Sequence, residues 1–172
     1  ARLNASGTGS ASYTSVVIYP TISGITITGS MVAPIIDLNG ADNVTIDGRV
    51  NLTGSVADLI ISNTSTGSHA SALRFISSAQ TNTIKYCNIL SSCYNAGVGM
   101  VTFTSSVTGT GNDINTIEDC NITNAGVSRP ICAIFSSGST GRENSGNIIR
   151  NNNIYNLINA DADSYGIIIS FN

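Results

Sequence analysis

The chain has no tryptophan, one histidine and three prolines, and only 10% of its 172 residues are charged. Soluble domains usually carry roughly 25% charged residues, so other side chains must keep this surface wet. Seven basic residues stand singly against ten acidic ones, for a net charge of −3. Neutralising phosphates takes a basic patch, so no nucleic-acid partner is expected. No apolar run approaches the roughly 20 residues of a bilayer-crossing helix, so no membrane span is expected. The four cysteines, Cys87, Cys93, Cys120 and Cys132, lack C-x-x-C spacing, and with His69 they complete no zinc pattern. No cofactor is expected. The opening "ARLNASGTGSASYT" reads as a processed start or a cut from something longer.

What is there is asparagine, serine, threonine and glycine, over a hydrophobic content of 41%. These polar residues compete with a helical backbone and favour strands and turns. No 3.6-residue periodicity is sustained, so almost no helix is expected.

The chain also repeats itself. "NTIKYCNI" at 82–89 returns as "NTIEDCNI" at 115–122, again as "NIIRNNNI" at 147–154, and more faintly as "NVTIDG" at 43–48. The copies align on Ile46, Ile84, Ile117 and Ile149. Asp47, Lys85, Glu118 and Arg150 then share the next position, alternating in sign. Cys87, Cys120 and Asn152 share a later one, followed by Asn88, Asn121 and Asn153. A second family of short β-branched or aromatic segments recurs as "IIDLNGA" (35–41), "ALRFISS" (72–78), "VTFTSS" (101–106), "CAIFSS" (132–137) and "YGIIISFN" (165–172).

Short strands at a fixed period, separated by polar loops of variable length, predict coils that stack in parallel and share one core. Stacked coils place equivalent residues about 4.8 Å apart. Isoleucine over isoleucine then fills the interior. Asn88, Asn121 and Asn153 become an inner amide ladder. The alternating charges each face opposite neighbours. Cys87 over Cys120 admits either a disulfide or two reduced thiols packed as small hydrophobes, the second being the expectation.

These units resemble the repeats of right-handed parallel β-helices, in particular the β-helical stretches of large secreted or cell-surface proteins of the Bacteroidota type. The resemblance covers about residues 15–172. It implies an all-β solenoid of five to six coils, with 1–14 as a polar N-terminal segment or edge and the C-terminal end uncapped. It implies no activity, because such folds include lyases, hydrolases, adhesins and inert stalks.

The sequence displays no recognisable catalytic set. Glycoside hydrolysis needs paired carboxylates, and Glu118–Asp119, being adjacent, would point to opposite faces of a strand. His69 lies in the loop "STGSHAS" with no acid nearby to orient it. Asp161 and Asp163 in "NADADS" are weak candidates for a hard cation. Tyr86, Asp119 and Tyr155 are weak candidates for sugar contact. Thr-x-Thr in "GITITGS" and "VTFTSS" raises ice binding. The leading expectation is a non-enzymatic structural or adhesive segment, extracellular or at the cell surface. It would be continued by more chain or self-associated end to end into a filament. A carbohydrate-binding or carbohydrate-degrading β-helix is the alternative.

Overall fold

The structure is a computed structural model and describes residues 1–104 and 109–170. Among these residues, β1 (Arg2–Asn4), β2 (Val16–Ile18) and β3 (Thr26–Gly29) form the first coil. The second is β4 (Ile36–Asn39), β5 (Val44–Asp47) and β6 (Leu59–Asn63), and the third β7 (Leu73–Ile76), β8 (Thr83–Lys85) and β9 (Cys87–Ser91). Then follow β10 (Val101–Thr104), β11 (Thr116–Glu118) and β12 (Asn121–Asn124), and β13 (Cys132–Ser137), β14 (Ile148–Arg150) and β15 (Asn153–Ile154). Strand β16 (Tyr165–Ser170) begins a sixth coil. One 3₁₀ turn, Val50–Leu52, is the only helical piece among the described residues.

Each strand pairs in parallel with the strands three before and three after it. Three sheets result: β1-β4-β7-β10-β13-β16, β2-β5-β8-β11-β14 and β3-β6-β9-β12-β15. The chain is a parallel β-helix, all-β, with one hydrophobic core inside its three faces.

The core is built as columns. In the second sheet Ile18, Ile46, Ile84, Ile117 and Ile149 occupy successive register positions, and the middle three are fully buried. The third sheet contributes Ile27, Ile61, Ile89, Ile122 and Ile154. The first contributes Leu3, Leu38, Phe75, Phe103, Ser136 and Ile169. The Phe75 and Phe103 rings stack at 4.3 Å, tilted by 2°. Each fully buried side chain of this kind contributes about 1.5–3 kcal/mol.

Single residues make the corners. Between the second and third sheets the turning position is Gly48, Tyr86, Asp119 and Asn151 in successive coils, and the last three are left-handed at φ 51°, 53° and 56°. Between the first and second sheets it is Asn43, Thr81, Ile114 and Gly146, with φ from 57° to 66°. At Tyr86, Asp119 and Asn151 such a residue redirects the chain almost without a loop, whereas between the first and second sheets it stands at the end of a longer connection.

Inward asparagines satisfy the backbone at the corner between the first and second sheets. Asn82, Asn115 and Asn147 stack below Val44. The Val44 N–H donates to Asn82 Oδ1 at 2.8 Å, Asn82 N–H to Asn115 Oδ1 at 3.1 Å, and Asn115 N–H to Asn147 Oδ1 at 2.8 Å. Their amides donate in turn to the carbonyls of Ala41, Ala79 and Asn112. Asn112 and Asn144 form a shorter parallel ladder beside them.

The column expected to be the inner ladder, Asn88–Asn121–Asn153, lies on the outer face of the third sheet. Asn121 donates to Asn88 at 2.9 Å, but both are half-buried and Asn153 is exposed. The residues just before them, Cys87, Cys120 and Asn152, face inward instead, so the outward position follows from strand alternation. Of residues 1–14, Arg2–Asn4 is the edge strand of the first sheet, in register with Asp37–Asn39. The segments "VTFTSS" and "YGIIISFN" coincide with β10 and β16, apart from Ser105, Ser106, Phe171 and Asn172, which lie outside the described residues.

Candidate functional site

The outward residues of the first sheet stack as Arg2, Asp37, Arg74 and Thr102. Asp37 is 4% exposed and is held from both sides. Arg74 reaches it with Nε at 2.8 Å and Nη2 at 2.9 Å, and Arg2 with Nε at 2.9 Å. Burial alone would push the Asp37 carboxyl up. The hydrogen bonds and charge of Arg74, then those of Arg2, outweigh burial and hold it below the ordinary aspartate value. A carboxylate held ionised by two guanidiniums makes a poor general acid. It does fix the guanidiniums in place.

A cleft of about 360 Å³ opens over this column, walled by Met31, Val32, Pro34 and His69. A second basin of about 130 Å³ adjoins it across His69 and Arg74, lined by Ser71, Thr102 and Thr104. Ser71 Oγ donates to the Gly99 carbonyl at 2.9 Å and stands 2.9 Å from Thr102 Oγ1, so the floor of this basin is rigidly bonded. His69 is exposed at the rim, with Ser68 Oγ 3.0 Å from its Nδ1.

The charged column of the second sheet runs Asp47, Lys85, Glu118, Arg150 in register. Lys85 lies 3.5 Å from Asp47, and Arg150 Nε 2.7 Å from Glu118. Arg49 adds a closer pair to Asp47, with Nη2 at 2.6 Å and Nε at 2.9 Å. Here too burial raises Asp47, and the hydrogen bonds and charge of Arg49, with the charge of Lys85, together outweigh it and hold the carboxyl below its ordinary value.

The sugar-contact candidates do not assemble. Tyr86 and Asp119 are corner residues of one column, but the Arg49 guanidinium sits 4.4 Å over the Tyr86 ring and covers a stacking face. Tyr155 follows β15 in the column of Leu90 and Thr123, four positions along the strand from Tyr86. Its separation reflects the corner, which turns the chain between the two tyrosines.

Asp161 and Asp163 are exposed; Tyr165 donates to Asp163 at 3.2 Å, and Asn159 Oδ1 accepts from the Asp161 N–H at 2.9 Å. Among the described residues no three acidic, histidine or cysteine side chains cluster as metal ligands. Thr26 and Thr28 stand beside Ile60 and Ser62, while the Thr102 hydroxyl is committed to Ser71 and Gly99, so the two Thr-x-Thr pairs share no flat array.

Cys87 and Cys120 do stack: the Cys87 N–H points to Cys120 Sγ at 3.5 Å, and all four cysteines are free and buried. The hydrogen bond to Cys120, and then burial, push the Cys87 thiol well up; burial pushes Cys132 up to about 11.

The Arg2–Asp37–Arg74 column lies outside the aligned repeats, because Arg2 belongs to the N-terminal segment 1–14. The signal was present in the phrases "RLN", "IDLN" and "LRFI", each with a charge one place before the inward apolar residue. Among the described residues no helix is long and apolar enough to cross a membrane. Comparison of the chain with protein-family models, characterised proteins and solved structures gives no match.

Proposed function

We propose that this chain is a non-enzymatic structural or adhesive segment of an extracellular or cell-surface protein. In this reading it is one stretch of a stiff β-helical rod of the Bacteroidota type, continued by more chain or docked end to end with further copies. The observation that carries the reading is axial continuity. Apolar columns, buried asparagine ladders and two opposite-charge columns all run along the stacking axis, where each coil supports the next. Ile167 and Ile169, at the inward positions of β16, are 44% and 67% exposed and give this face of the stack an apolar character. Low charge and Asn/Ser/Thr richness support an extracellular setting.

Electron microscopy of the native material, with light scattering of the purified chain, tests this. Expected are long rods, or oligomers that lengthen with concentration and that Ile169→Asp blocks without altering the circular dichroism. Native particles that remain short, compact and monomeric at every concentration would overturn the reading. Degradation of polysaccharide by the purified chain would replace it with the enzymatic alternative.

A further inference from the structure

We propose that the cleft over Arg2, Asp37 and Arg74 is a binding site for a sugar acid, which it holds by the carboxylate. The proposal does not depend on the rod reading. Asp37 occupies Nε and Nη2 of Arg74 but leaves Nη1, and it occupies only Nε of Arg2. Two guanidiniums against one carboxylate leave a local excess of positive charge, in a chain whose net charge is −3. Asp37 is almost wholly buried and paired to both arginines, so it aims them while their two charges more than offset its own. Planar guanidinium donors suit a carboxylate better than a point charge would.

The rest of the cleft selects what carries the carboxylate. Met31 and Val32 are 46% and 64% exposed and present an apolar wall for the C–H face of a ring. Across Arg74, Thr104 lines the adjoining basin over a floor closed by the Ser71, Thr102 and Gly99 bonds, and ring hydroxyls would lie there. An extended acidic peptide is the poorer fit. Peptides dock by pairing backbone with a free strand edge, and the floor here is the face of a sheet, with β4 and β7 paired on both sides. His69, shared by both basins, closes the rim.

Ligand-observed NMR and calorimetry with D-glucuronate test the site, with D-glucose, acetate and a triglutamate peptide as controls. Expected is saturable, salt-sensitive binding of glucuronate that weakens about tenfold or more in Arg74→Gln and in Arg2→Gln. His69→Ala, on an exposed loop outside the ion pairs, should weaken it without changing the fold. In Arg74→Gln, Arg2 still holds Asp37, and an unchanged far-ultraviolet spectrum establishes that the variant is folded. Any of four results would overturn the proposal: no saturable binding at tens of millimolar, binding indifferent to all three substitutions, acetate bound as tightly as glucuronate, or triglutamate bound more tightly.

Discussion

Asn115 shows how much one side chain can hold. Its Oδ1 accepts from Asn82 twice, its amide donates to Ala79 and Asn147, and it is fully buried. Asn115→Ala would strand several buried groups at once, each costing about 1–3 kcal/mol. A loss of roughly 3 kcal/mol or more in urea denaturation is expected, while Asn121→Ala, half-buried on the outer face, should lose under about 1 kcal/mol. Equal losses would refute the assignment of the inner ladder. Ile114 offers the opposite case. It sits at φ 57° with 62% of its surface exposed, a β-branched residue in a left-handed position. Ile114→Asn is expected to stabilise the fold by about 1 kcal/mol, read as a higher denaturation midpoint. Both ladders were equally visible as repeated asparagines. What was not visible was which column faces inward, because facing is reset at every corner.

At the scale of the element, the corner between the second and third sheets is the demanding part. A Cβ on Gly48 would lie 1.8 Å from the Tyr86 carbonyl oxygen of the next coil, which is backbone and has nowhere to go. Gly48→Ala should force β5 away from β8 and cost roughly 2–3 kcal/mol, checked by denaturation together with amide exchange in β5 and β8. The phrase "NTIKYCNI" looked like one unit in the sequence. It is two short strands, β8 and β9, bent at Tyr86. Strand β1 depends on its neighbour in the same way: its three residues become a strand because β4 lies beside them.

For the whole molecule, the two charge columns link stability to pH. Asp37 and Asp47 both have folded-state values below the ordinary aspartate value, near 3.9 in an unfolded chain. Their contribution is therefore complete above about pH 4 and is lost as pH falls through the lower folded values. Thermal denaturation should show no loss from these groups between pH 7 and 5 and a falling Tm below about pH 4. Asp37→Asn, already weakened at neutral pH, should lose less on acidification. A native Tm unchanged at pH 2.5 would contradict the ion-pair account.

By itself the sequence determined the fold class and the isoleucine register, because equal spacing of an apolar phrase leaves parallel stacking as the way to bury every copy at once. It determined the second sheet's charge column for the same reason: Asp47, Lys85, Glu118 and Arg150 each follow the anchoring isoleucine. Tertiary structure decided how the first sheet's site is assembled. Arg2, Asp37 and Arg74 are 35 and 37 residues apart, joined by loops that share no phrase. Loop length does not fix register; pairing between β1, β4 and β7 does, and that pairing exists only once the coils have closed around a common core.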